Sequence, residues 1–346
     1  MLRRLLQRLL SSSSPRTGPE PDSREAISPY LKRGENESAE QHAVRLRETE
    51  VLLSHWANCQ NDWRNGVRTR EGSPDVPVWD GESLQNKTVL VHDWPGLGDS
   101  LNFVRFVPDL KSLGATTIIE ARPEAASLLS RVEGVDEVVG IGSTASHDFH
   151  VPSSTLLLNS LLPALQEASI AGGAAPYLSA DPAAIQRWEP RLSQLAHPRI
   201  GLSWAGNPTN RNDAIRSVAL QSLAPLFEDR RASFVSLQVG AASDQARTMG
   251  DSIVDLGNDL HDLEDTGAVI THLDLVISID STVAHLAGGM GKPIWLLRSA
   301  GADRRWDLVS NASHWYPGLR VYSTEQPGVW ADTISKVAVD LARFGH

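Results

Sequence analysis

A single cysteine, Cys59, stands in a chain of 346 residues. That excludes an internal disulfide framework and any cysteine-rich zinc or iron–sulfur site. No apolar run reaches the roughly 18 residues that a membrane-spanning helix needs. Basic charge is in the minority: 32 Lys+Arg against 42 Asp+Glu leave −10 at neutral pH. This argues against nucleic acid as a partner held by a global basic field. A DxD pair, an HExxH string and a Cys/His cluster are all missing, so no dedicated metal site is expected. The Walker A string is missing too, which argues against an ordinary P-loop nucleotide hydrolase. What is present is a globular mix, 41% hydrophobic and 21% charged, long enough for about two domains at roughly 150 residues each. Ten tryptophans are the one compositional excess.

The N-terminus departs from the rest. Residues 1–16 hold Arg3, Arg4, Arg8 and Arg16 and no acid, a +4 stretch ahead of a remainder at −14. Leu2, Leu5, Leu6 and Leu9 follow helical spacing, with Arg4 and Arg8 opposite. Three readings fit: peripheral membrane contact through residues 1–10, an organellar transit peptide, and a frayed basic tail. A secretory signal does not fit, because Arg8 interrupts the apolar stretch. Residues 11–24 have linker composition, so 1–24 reads as a basic segment and linker.

Residues 25–87 read as a helical region, with a helix over Glu37–Asn58, and a connector rich in Trp, Gly and Pro. A regular α/β rhythm begins at 88. TVLVHDW (88–94) predicts a strand, PGLGD (95–99) a glycine-rich turn, and SLNFVRFVPDLKSLG (100–114) a helix closed by Gly114. A strand over 115–121, a helix near 123–133 and a strand near 136–141 follow. The stretch 168–198 reads as a loop-rich seam. Beyond it come a strand at 199–205, a polar loop at 207–217 and a helix around 220–228. Strands at 234–239 and 252–257, a helix near 262–272 and the strand DLVISID (274–280) continue the rhythm. A helix over 281–291, a strand over 293–297 and an amphipathic C-terminal helix complete it. The expected class is α/β, with Rossmann-like domains over 88–175 and 199–328 facing each other across a cleft.

Chemistry concentrates at three turns that follow strands. In PGLGD, Gly96 and Gly98 allow a tight turn and a close backbone approach to a ligand. Asp99 is then either a helix cap or a carboxylate able to take a proton from an attacking hydroxyl. The spacing is not G-x-G-x-x-G, so no dinucleotide fingerprint is read. In DSTVAHLAGGMGKP (280–293), Ser281 and Thr282 put hydroxyls and N–H groups at a helix start, which favours anionic oxygens. His285 follows one turn on. A Ser281–His285 nucleophilic pair is set aside for want of a G-x-S-x-G elbow. In WAGNPTNRNDAIRS (204–217), Asn207, Asn210, Arg211 and Arg216 crowd one loop, and Arg suits bidentate phosphate recognition.

Several strings together resemble a family of glycosyltransferases often found behind tetratricopeptide repeats. That family is related to the lipopolysaccharide heptosyltransferases and is glycosyltransferase family 9-like. The strings begin with VPVWDGESLQNKTVLV (76–91), PGLGDSLNFVRFVPDLKSLGA (95–115) and APYLSADP (175–182). RIGLSWAGNPTNRNDAIRS (199–217), FVSLQVG (234–240) and DLEDTGAVITHLDLVISIDSTVAHLAGGMGKPIWLL (262–297) continue the likeness. RRWDL (304–308) and HWYPGLRVY (314–322) end it. The resemblance spans about 76–330 and implies a GT-B fold whose terminal helix, 329–346, packs back on the first domain.

It also implies metal-independent, inverting transfer of a sugar from a nucleotide-diphosphate donor to a hydroxyl of a glycan, lipid-linked or protein acceptor, in the cytoplasm. No cofactor besides the nucleotide sugar is implied. By the resemblance, Asp99 is the general base. Gly98, Asn207, Arg211, Arg216, Asp280, Ser281, Thr282 and His285 contact the donor, with Trp204, Gln238, Asp265 and Thr266 beside them. The chain departs from the family in three respects. The repeat array is missing, Asp93-Trp94-Pro95 replaces the acidic-Gln lead-in to GLGD, and no lysine stands near the phosphates. A degenerate nucleotide-sugar or glycan-binding module and a nucleotide-sugar epimerase are the competing readings.

Overall fold

The computed structural model describes residues 62, 75–79, 81–93, 96–153, 156, 176–300, 306 and 316–344. The N-terminal basic segment, the Glu37–Asn58 helix and the Trp94-Pro95 step lie outside the described residues. The chain divides into two compact units, 1–174 with 307–310, and 175–306 with 311–346.

The first unit holds a four-stranded parallel sheet in the order β3-β2-β1-β4, made of β1 (Thr88–His92), β2 (Thr116–Ala121), β3 (Glu137–Gly140) and β4 (Phe149–Pro152). Leu90 sits between Ile118 and His150 in this register. Helix α1 (Leu97–Phe103) begins three residues earlier than expected. A 3-10 turn at Val104–Phe106 then separates it from α2 (Val107–Ser112), and α3 is Pro123–Leu129. Leu101, Phe103, Val107 and Leu110 are buried with Val89, Leu90 and Ile118, the apolar face that makes this segment helical against the sheet. Pro108 and Pro123 fall in first turns, where a missing N–H costs nothing. Strand β4 was not foreseen: FHVP is short and its one clear apolar run is broken by His150.

The second unit carries a five-stranded parallel sheet in the order β6-β5-β7-β8-β9. Its strands are β5 (Arg199–Ser203), β6 (Ser233–Ser236), β7 (Leu275–Ile279), β8 (Ile294–Arg298) and β9 (Leu319–Ser323). Every residue of β5 and β7 is buried, as expected of inner strands covered on both faces. The supposed seam contains α4 (Pro182–Leu192), opened by Asp181, whose carboxylate accepts from the N–H groups of Ala183 and Ala184. The helix expected around 220–228 is a 3-10 stretch, Leu220–Glu228, containing Pro225. The strand expected at 252–257 contributes one bridge, Val254 to Val235.

The remaining helices are α5 (Asp213–Arg216), α6 (Asp244–Arg247), α7 (Leu263–Thr271), α8 (Thr282–Gly289) and α9 (Ala331–Leu341). Ile334, Val337 and Leu341 of α9 are buried in the second unit's core with Trp204, Leu223, Leu226 and Trp295.

One device recurs at the strand starts. Asp136, just before β3, accepts from the N–H of Thr117 at 2.8 Å in neighbouring β2. Asp148, before β4, accepts from the N–H of Thr88 at 2.8 Å in β1. Asp274, before β7, accepts from the N–H of Arg199 at 2.7 Å in β5. Each carboxylate takes a donor that the ladder leaves open and so fixes register. Among the described residues, no helix is long and apolar enough to cross a membrane.

Candidate functional site

In the second unit, the chain leaves β5 toward β6 on one side and enters β7 on the other. The carboxyl ends of β5 and β7 are therefore the point where strand order reverses, the position at which open α/β sheets bind ligands. Two of the expected turns end here. Arg216 connects them: its Nε donates to Asp213 Oδ1 at 3.2 Å and its Nη1 to the carbonyl of Asp280 at 3.1 Å. The guanidinium lies across Gly206, where an added Cβ would fall 2.2 Å from Nη2 and 2.6 Å from Asp213 Oδ1. Ser217 completes the arrangement, accepting from the N–H of Gly206 at 3.0 Å and donating to Asp213 Oδ1 at 3.0 Å. A half-buried guanidinium is thus fixed beside the start of α8.

That helix start bears no acidic residue in its first turn. Ser281 is the extended residue before it, its hydroxyl 2.9 Å from that of Ser278, and its carbonyl accepts from the N–H of Ala284 at 3.1 Å. The N–H groups of Thr282 and Val283 precede the first intrahelical bond and point outward from the helix end. With the Arg216 guanidinium, itself paired with Asp213, they form an N–H-rich corner suited to anionic oxygens. Asn207 shapes the neighbouring loop, its Oδ1 accepting from the N–H and hydroxyl of Thr209. Arg211 is exposed and has no hydrogen bond or ion pair among the described residues.

Five of the residues expected at the donor have partners inside the unit. Trp204 has no exposed surface and lies in the core, and among the described residues its Nε1 has no hydrogen-bond partner. Gln238 is a stitch: its Oε1 accepts from the N–H groups of Trp204 and Ala205, and its Nε2 donates to the carbonyls of Ala205 and Val239. His285 is buried, stacked on Trp306 with centroids 4.9 Å apart, and its Nδ1 is 2.8 Å from the hydroxyl of Tyr316. Asp265 receives Arg187, Trp188 Nε1 and the N–H of His261. Burial pushes its carboxyl upward, yet those bonds outweigh it and hold the pKa below the usual value. Thr266 returns its hydroxyl to the carbonyl of Asp262 at 2.9 Å. The side chains of these five residues hold the unit together.

The first unit repeats the logic. Its order reverses between β1 and β4, and at those carboxyl ends lies the PGLGD turn. Gly96, extended at φ −161°, precedes α1, and no side chain caps that helix. Gly98 and Asp99 occupy the first turn, both partly exposed. Sequence reading missed the groups behind them: Asp93 at the end of β1 accepts from the hydroxyl of Ser100 and from Arg122 Nε. The displaced acidic lead-in to GLGD was the available signal. Among the described residues, no group of three or more His, Cys, Asp or Glu side chains gathers as a metal site.

Two Rossmann-like units with parallel sheets define a GT-B fold. The solved structure of a glycosyl transferase family 9 protein from Veillonella parvula shares that fold at 14% identity and a TM-score of 0.54, over 75% of this chain and 98% of that one. E. coli heptosyltransferase WaaC with ADP aligns at 14% identity and a TM-score of 0.48, over 73% and 99% of the two chains. In sequence, protein FlbA of Caulobacter vibrioides is 28% identical over 288 residues, 77% of this chain and 48% of that protein. The chain thus spans about half the length of the curated relative it matches. No family model matches.

Proposed function

We propose that the protein is a glycosyltransferase that moves a sugar from a nucleotide-diphosphate donor to an acceptor hydroxyl, without an essential metal and with inversion. The observation that carries this reading is the Arg216–Asp280–Ser281 corner at the strand-order reversal of the second unit. A departing diphosphate gathers negative charge as the anomeric C–O bond breaks. Fixed N–H groups at Thr282 and Val283 and the Arg216 guanidinium would receive that charge without reorganising, and the exposed Arg211 of the same loop would add to them. Asp99 would take the proton of the attacking hydroxyl. The hydroxyl oxygen bonds to the anomeric carbon, the nucleoside diphosphate leaves, and the carboxylate carries the proton away. The family 9 fold supports a heptosyltransferase-like reaction, with a glycan, lipid-linked or protein acceptor.

The test is release of nucleoside diphosphate from ADP-, GDP-, UDP- and dTDP-sugars by the full chain, beside Asp99→Asn. Turnover of one donor, lowered about a thousandfold in the variant, is expected from loss of a general base. Undiminished turnover in Asp99→Asn removes that residue as base. Tight donor binding without turnover would instead favour a binding module, and donor isomerised without an acceptor an epimerase.

A further inference from the structure

We infer that Asp93 is a positioning residue for Asp99, acting through the hydroxyl of Ser100; the inference rests on the assignment of Asp99 as base. Helix α1 has seven residues, no side-chain cap, and a glycine on either side of its first residue. Glycine is the residue that most loosens a helix end. Left to its backbone, the turn that presents Asp99 would sample many orientations.

The structure supplies a fastener from outside the helix. The Asp93 side chain is 2% exposed, and its two oxygens point to different partners. One accepts from Ser100, the residue directly after Asp99, and the other from Arg122 just beyond β2. Ser100 is itself buried, with its hydroxyl 3.4 Å from that of Ser153 at the end of β4 and 3.4 Å from the carbonyl of Gly96. A single line of polar contacts therefore runs from Arg122 through Asp93 and Ser100 to Ser153, crossing the carboxyl ends of β2, β1 and β4. Arg122 balances the charge that burial of Asp93 would otherwise leave uncompensated. The Ser100 hydroxyl links the helix start to groups at the ends of three adjacent strands. Asparagine at 93 keeps the shape but removes the charge that pairs with Arg122 and reverses the bond to Ser100, whose hydroxyl must then accept instead of donate.

The experiment compares full-length wild type with Asp93→Asn, Ser100→Ala, the double variant and Ser100→Thr. It reads turnover of the donor found above and amide hydrogen exchange over 97–103. In both single variants kcat should fall about a hundredfold through misplacement of the base, with KM for the donor within about twofold. The double variant should lose no more than the worse single one, since both cut the same line. Ser100→Thr, which keeps the hydroxyl, should restore most of the rate. The acid limb of the kcat/KM profile should be retained, because the proposed base itself is unchanged in these variants. Exchange over 97–103 should quicken in both single variants.

Additive losses, an unchanged kcat, or an acid limb that vanishes in Asp93→Asn would each overturn the inference. The last result would make Asp93 the base. If wild type turns over no donor, the transferase reading falls. The fastening is then decided by exchange alone: unchanged rates over 97–103 in both variants refute it.

Discussion

At the scale of single residues, Gly206 shows why a small side chain is required where nothing in its local sequence demands one. Its φ is ordinary, and the constraint comes from Arg216 lying over its Cα. A methyl group there must push the guanidinium off Asp213 and off the carbonyl of Asp280. Gly206→Ala should therefore weaken nucleoside diphosphate binding about tenfold, roughly 1.4 kcal/mol, as read by calorimetry, with the fold intact by circular dichroism. Arg211→Ala should weaken the same binding while leaving thermal stability alone, because Arg211 is exposed and holds no described neighbour. The two variants separate a clamped guanidinium from a free one. Sequence reading grouped Arg211 and Arg216 as equals in one loop. Only a fold that sets Asp280 beside that loop distinguishes them.

At the scale of elements, the carboxylates before β3, β4 and β7 act as latches between neighbouring strands. Asp274 also takes the ring N–H of His197, while Lys292 caps the end of α7 through the carbonyls of Thr271 and Leu273. Replacing Asp274 by Ala leaves the buried N–H of Arg199 without its partner, at a cost of about 1–3 kcal/mol. Urea unfolding should report that loss in the midpoint with an unchanged slope. Elements with a strong periodic pattern were readable: β1, β2, β5, β7, β8, α7, α8 and α9 fall within a few residues of expectation. Strand β4 and helix α4 were not. The first is too short to show a period, and the second carries Pro190, with little apolar surface beyond Ala184, Trp188 and Leu192. Its place depends on α7, where Glu264 accepts from the N–H of Asp181 and Asp265 from Trp188, contacts about 80 residues apart in sequence.

At the scale of the whole molecule, the net charge of −10 and the latches together set the response to acid. Among the described residues, three carboxyls are held below their ordinary value of 3.8. For Asp136, burial works upward but Lys111 and the Thr117 N–H prevail. For Asp148, the bond from Lys87 leads, followed by the Thr88 N–H. Asp265 is held down, against burial, by Trp188, Arg187 and the His261 N–H. A carboxyl with a depressed folded pKa stabilises the fold fully above its unfolded value, and that stability is lost as pH falls through the folded value. Urea midpoints should thus be insensitive to these groups from neutrality down to about pH 5 and drop below about pH 4. Asp265→Asn should flatten part of that drop while lowering the neutral plateau.

The amino-acid order alone determined the α/β class with its two lobes, and it marked the turns proposed to carry chemistry. Hydrophobic period and glycine placement are local properties, legible without knowing what a segment touches. Only the tertiary structure decided which polar side chains at those turns stay available. Trp204, Gln238, Asp265 and His285 are drawn into cores and stitches by partners distant in the chain, and Thr266 bonds back along its own helix. Asp93 and Ser100 gain their roles from Arg122 and Ser153, and Arg216 from Asp280, across strands that become neighbours only on folding.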